Sequence, residues 1–152
     1  MNKKIKLSLL GTLIAGSALA VTLPIVSCSA STDVVLTATA DKAKATTAVT
    51  TAVAAAADLD AQKAIITLGN KITTGTVFTA LLGSVTFVET DDTTVVVSAA
   101  DAIESFEVTT TVAVTASAEI PAGVILTVHL KGGFTTENAL TITLDTLGNA
   151  KA

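Results

Sequence analysis

The feature that most constrains this sequence is the alternation of apolar and hydroxyl-bearing side chains along its second half. Successive side chains of a β-strand point to opposite faces, so a period of two predicts a strand with one buried and one solvated face. Residues 124–131 and 140–145 show this pattern, and residues 106–115 show it most clearly. On that stretch one face carries Phe106, Val108, Thr110, Val112 and Val114, against Glu107, Thr109, Thr111, Ala113 and Thr115.

Turn-forming residues divide this half into antiparallel strands. Residues 85–88 and 95–97 predict a hairpin, with Glu89-Thr90-Asp91-Asp92 as its turn. Pro121-Ala122-Gly123 and Gly132-Gly133 predict further turns. Residues 99–105 are interpreted as a connecting turn or one helical turn, and residues 77–82 fit either a strand or a short helix.

The segment before the sheet predicts helix. Residues 41–59 are rich in Ala, with apolar residues at three- and four-residue spacings, and Asp41 is placed to act as the N-cap. Asp58-Leu59-Asp60 can begin a second helical segment that ends at Gly69-Asn70. We therefore predict a single α+β domain over residues 41–152. In it the Ala-rich helix packs on an antiparallel sheet of four to six strands.

Residues 28–40 are predicted to be a flexible tether that leads to this domain. Residues 29–40 are mostly Ser, Thr and Ala without a sustained period, apart from a short Asp33-Val34-Val35-Leu36 run. A first strand over residues 34–39 is the alternative.

The beginning of the chain differs in kind from the rest. The first residues include three cations, Lys3, Lys4 and Lys6, which precede a long apolar stretch at residues 7–25. No further charged residue occurs before Asp33. The segment ends in Ile25-Val26-Ser27-Cys28, an order that resembles the lipobox of bacterial lipoproteins. The resemblance implies that residues 1–27 are a signal peptide cut between Ser27 and Cys28. It also implies a diacylglyceryl thioether on Cys28, whose thiolate is the nucleophile that accepts the lipid.

Three other interpretations of this segment stay open. Ala18-Leu19-Ala20 offers a plain secretory cleavage site after Ala20. Residues 7–26 are about long enough to span a bilayer without cleavage. Cys28 can also be an ordinary buried thiol.

Composition excludes several classes of site. The 152 residues include one His, one Cys, four Phe and no Trp, Tyr or Arg. They therefore lack the ligands of a Cys/His zinc cage, the partners of a disulfide framework and an aromatic stacking platform. Cleavage after Ser27 would remove three of nine Lys and none of thirteen acidic residues, leaving a formal charge of −7. That charge argues against binding to nucleic acid.

Few side chains suggest chemistry. His129 carries the only imidazole of the chain, but catalysis would need a nucleophile on a neighbouring strand and an orienting acid, so we interpret it as a sheet residue. Glu89, Asp91 and Asp92 are weak candidates for a hard cation such as Ca²⁺, and a solvated turn is favoured over a metal site. We predict no catalytic residue and no cofactor. On the sheet, three hydroxyls are candidates for presentation to a ligand: Thr111, Thr127 and Thr141.

Together these features resemble the spiralin-type surface lipoproteins of mollicutes, the wall-less bacteria. The shared features are the Lys-rich start, the box ending in Ser27-Cys28, and an Ala/Thr/Val helix followed by Thr-rich strands. The resemblance implies a protein anchored by acylated Cys28 on the extracellular face of the cell membrane. Such a protein coats the cell and can act as an adhesin for a host glycoprotein or a neighbouring surface protein. The alternative function is that of a small solute-binding or transport accessory lipoprotein.

Overall fold

The computed structural model of this protein describes residues 32–152. The predicted signal peptide, the cleavage site between Ser27 and Cys28, and the first residues of the predicted tether lie outside the described residues. The described part is an α+β domain with four helices and two four-stranded sheets, and most strand pairs are antiparallel. The predicted fold class is therefore confirmed, whereas the expected single sheet is replaced by two.

The helices are α1 (Lys42–Ala55), α2 (Leu59–Ile65), α3 (Gly75–Leu82) and α4 (Ala99–Ala102). The strands are β1 (Val34–Ala40), β2 (Lys71–Ile72), β3 (Val85–Glu89), β4 (Val96–Val97), β5 (Ile103–Thr110), β6 (Ile125–Leu130), β7 (Phe134–Thr136) and β8 (Thr141–Thr143). The first sheet has the order β4-β3-β1-β7 and the second has the order β2-β5-β6-β8.

The prediction of a tether through residue 40 is wrong over Val34–Ala40, because this segment is the inner strand β1 of the first sheet. It pairs antiparallel with β3 and parallel with β7. Its inward positions alternate as a strand requires, with Leu36 only 2% exposed and Ala38 partly buried. The small Ala side chains make this alternation inconspicuous in the sequence.

The second sheet contains the three strands that alternation predicts most clearly, as β5, β6 and β8. Phe106 and Val108 are fully buried and lie opposite Val128 and Leu126 of β6. The predicted hairpin is also present in the first sheet, as β3 and β4. β5 ends at Thr110 instead of 115, because its register against β6 shifts after Val108 and the chain leaves the sheet.

The helices begin where Asp side chains cap them. The Asp41 carboxylate accepts a hydrogen bond from the Lys44 backbone N–H at 3.0 Å, so α1 starts as predicted. Asp58 caps α2 in the same way, accepting from the Ala61 N–H at 2.9 Å. The open interpretation of residues 77–82 is settled as helix, since they belong to α3.

One hydrophobic core joins the helices to both sheets. Its largest members include Phe87 and Phe106, and the Phe78 ring of α3 meets Phe106 edge-on with 5.9 Å between centroids. The buried Gln62 amide donates to the Val53 carbonyl and accepts from the Lys151 N–H, which ties α1 and α2 to the end of the chain. Over residues 32–152, no helix has the length and apolar character needed to cross a membrane.

Candidate functional site

The polar face of the second sheet brings His129 into contact with an acid. Register places Ser105 directly opposite His129 and Glu107 opposite Thr127. The His129 Nε2 atom lies 2.7 Å from Glu107 Oε2, and these side chains are 41% and 24% exposed. Beside this pair, the hydroxyls of Thr109 and Thr127 are 2.9 Å apart. These contacts link β5 to β6 on the side of the sheet that faces away from Phe106.

Among the described residues, the His129 ring is hydrogen-bonded to an acid and to no hydroxyl. Catalysis by His129 would require an orienting acid and a nucleophile on a neighbouring strand. Both residue types lie on β5, where Glu107 is the acid and Ser105 carries the hydroxyl. However, Ser105 is only 3% exposed, and no hydrogen bond joins it to His129 among the described contacts. A nucleophile must be reachable by substrate and hydrogen-bonded to its base, so this geometry suits a cross-strand contact.

Only two of the three candidate threonines come together. Thr127 of β6 and Thr141 of β8 are direct register partners on neighbouring strands. Thr111 lies just past the end of β5, and its hydroxyl donates to the Ile66 carbonyl at 2.6 Å. Thr111 therefore connects the end of β5 to the segment after α2, and it does not lie on the sheet face that carries Thr127 and Thr141.

The acidic turn is closed by its own backbone and side chains. The Glu89 N–H donates to the Val95 carbonyl, and one oxygen of Asp92 accepts from both the N–H and the hydroxyl of Thr94. Asp91 is exposed at the tip. No group of three or more His, Cys, Asp or Glu side chains within residues 32–152 is placed to hold a metal ion.

The sequence did not predict a surface groove that lies between α1 and α3. Its volume is about 720 Å³. Small side chains line most of it, and Asp41 and Lys44 stand among them. From α1 these are Ala43, Thr47, Ala48, Thr51, Ala52 and Ala55, from α3 Thr76, Val77 and Ala80, and directly after α3 Gly83. The only sequence signal for it is that Ala43, Thr47, Thr51 and Ala55 recur every fourth residue and are exposed.

A second, smaller pocket of about 270 Å³ lies beside β1. The hydroxyls of Thr37 and Thr90 are 3.0 Å apart there, and Glu137 and Asn138 also line the pocket. The pocket adds polar surface to the first sheet, whereas the α1–α3 groove is mainly apolar.

No protein-family model, curated protein or solved structure matches this chain.

Proposed function

We propose that this protein is a lipoprotein anchored to the extracellular face of the cell membrane through acylated Cys28. It coats the cell, contacts host or neighbouring surface proteins, and catalyses no reaction. The observation that carries the proposal is the order Ile25-Val26-Ser27-Cys28 directly behind the apolar residues 7–25, with Cys28 the only cysteine of the chain.

The anchor follows from the chemistry of that cysteine. A diacylglyceryl group on Cys28 carries two acyl chains, and each buried CH₂ contributes roughly 0.8 kcal/mol to membrane binding. One acyl chain gives only marginal attachment, whereas two give stable attachment. Removal of residues 1–27 leaves a strongly acidic chain, which keeps a crowded surface protein soluble.

The distance between Cys28 and the domain also supports the proposal. The first strand begins at Val34, so five residues separate the acylated position from a strand in the middle of a four-stranded sheet. An anchor at this place holds the folded domain next to the bilayer.

The polar face of the second sheet supports the part of the proposal that concerns partners. Thr109, Thr127 and Thr141 offer hydroxyls beside His129 and Glu107, and all of these lie on paired strands that fix their spacing. A protein or glycan surface rich in hydrogen-bonding groups is the chemistry that this face matches.

Labelling with palmitate in growing cells tests the anchor. The wild-type protein should take up the label and sediment with membranes, and Cys28→Ser should lose both the label and the cleavage at residue 27. The matched control is Ser29→Ala, which changes the next residue and should behave as wild type. A Cys28→Ser protein that is processed and retained on membranes like wild type would refute the anchor.

The α1–α3 groove favours a second candidate function, the binding of a small solute for transport. At about 720 Å³ it falls within the usual range for ligand pockets, roughly 300–1,000 Å³. Calorimetry with a panel of sugars and short peptides tests this function. Binding that Ala80→Phe abolishes and Ala54→Phe preserves would favour it, because Ala80 lines the groove and Ala54 does not. The absence of measurable heat across the panel would count against it.

A further inference from the structure

The first sheet defines one end of the domain around the start of β1. The Val34 N–H donates to the Gly133 carbonyl at 2.8 Å, and the Thr90 N–H donates to the Val35 carbonyl at 2.9 Å. The turn between β3 and β4 therefore lies at the same end as Val34. We call this the proximal end, and it consists of residues 32–34, 90–95 and 132–133.

The opposite end of the same sheet lies where β1 stops. Ala40 is the register partner of Val85, and the Asp41 N–H donates to the Ser84 carbonyl at 2.6 Å. We call this the distal end, and it consists of residues 39–43 and 83–86. With a rise of about 3.3 Å per residue, the six steps from Val34 to Ala40 place the two ends about 20 Å apart.

The link between Cys28 and Val34 can reach the level of the distal end only when it is fully extended. Six Cα–Cα steps span at most about 20 Å when fully extended. A domain of about 120 residues has a radius of gyration of roughly 14 Å and is therefore about 35 Å across. A tether shorter than the domain keeps its point of attachment nearest the bilayer.

Given the proposed anchor at Cys28, on which this step rests, we infer that the proximal end faces the lipid headgroups and that the distal end is presented to the outside. The turn that carries Asp91 and Asp92 then lies over the bilayer, and the start of α1 with its groove points away from it. Any external partner meets the distal end first.

Surface charge does not produce this orientation. The proximal end carries Asp33, Asp91 and Asp92, and the neighbouring Lys131 ammonium donates to the Ala100 carbonyl. Three carboxylates do not bind anionic headgroups, and their field extends only about 8 Å at physiological ionic strength. The covalent link sets the orientation, so it should persist on zwitterionic lipid.

Energy transfer from single labelled positions to the membrane tests this orientation. Thr93→Cys places a thiol in the exposed proximal turn, and Thr39→Cys places one on the exposed distal part of β1. Acylation occupies Cys28, so each variant has one free thiol for a donor dye. The purified acylated full-length product is reconstituted in phosphatidylcholine vesicles that carry an acceptor dye on their headgroups.

The expected result is a transfer rate at least fivefold higher from position 93 than from position 39. Transfer to a plane falls with the fourth power of height, and the two positions differ by roughly 17 Å along the sheet axis, so the ratio exceeds five when position 93 lies less than about 34 Å above the acceptor plane. Equal rates or the reverse order, in a protein shown to be acylated by its mass, would overturn the orientation and leave the anchor intact. A product without acyl mass would instead overturn the proposed function and the orientation together.

Discussion

Leu36 is the residue whose truncation tests most directly whether β1 is a structural strand or a tether. Its side chain is 2% exposed, between the β3 partner Glu89 and the β7 partner Thr136. Leu36→Ala removes about three carbons, worth roughly 2.4 kcal/mol of transfer free energy, and the residual cavity adds to that. We expect a loss of about 3 kcal/mol in the free energy of unfolding.

Urea unfolding followed by far-ultraviolet circular dichroism measures this loss, because a chain without Trp or Tyr offers little intrinsic fluorescence. With a urea slope of about 2 kcal/mol/M, the midpoint should fall by roughly 1.5 M. Val35→Ala is the matched control, since Val35 is the next residue on the strand and is 36% exposed. Its midpoint should fall by less than half as much. Equal, small shifts for both variants would refute the packing of β1 in the core.

Three further substitutions test local features by the same urea unfolding. Asp41→Ala removes the cap of α1 and should cost about 1 kcal/mol, against little change for Asp91→Ala in the exposed turn. Gln62→Ala leaves the partly buried Lys151 N–H without its partner and removes one of the two hydrogen bonds that the Val53 carbonyl accepts, so it should cost about 1–3 kcal/mol; a loss below about 0.5 kcal/mol would contradict its bridging role. Gly133→Ala should cost about 1–2 kcal/mol because Gly133 has φ of 97°, whereas Gly132→Ala should be close to neutral; equal effects would contradict the turn geometry.

The sequence predicts those elements whose local pattern of side chains indicates which positions are buried or where a helix begins. The strands β5, β6 and β8 alternate between apolar residues and mostly polar ones, so their buried faces could be identified. The start of α1 was equally clear, because an Asp at the N-cap directly precedes an Ala-rich stretch. Local propensity and burial agree at these places, and such agreement makes a pattern informative.

The missed elements depend on partners far away in the sequence. The strand β7 has only three residues and pairs in parallel with β1, about a hundred residues earlier. The two-residue strand β2 is too short to show alternation. The division of the strands into two sheets follows from these long-range pairings, and the local sequence pattern does not indicate them. The strand β1 escapes prediction because its last four residues are Thr and Ala, and small Ala side chains at the inward positions make the alternation inconspicuous.

The candidate site was predicted to a similar extent. The alternation of apolar and polar residues along β6 is enough to place His129 and Thr127 on the same polar face. The contact between His129 and Glu107 depends on the register of β5 against β6, and so does the position of Ser105 opposite His129. The α1–α3 groove arises from how two helices lie on the core, and therefore it could not be found from the chain alone.

The mass of the intact protein extracted from membranes tests the central claim most directly. The proposed anchor predicts a chain that begins at Cys28 and carries the added mass of a diacylglyceryl group. A chain that begins at Val21, or one that retains residues 1–27 with an unmodified Cys28 thiol, would contradict the account.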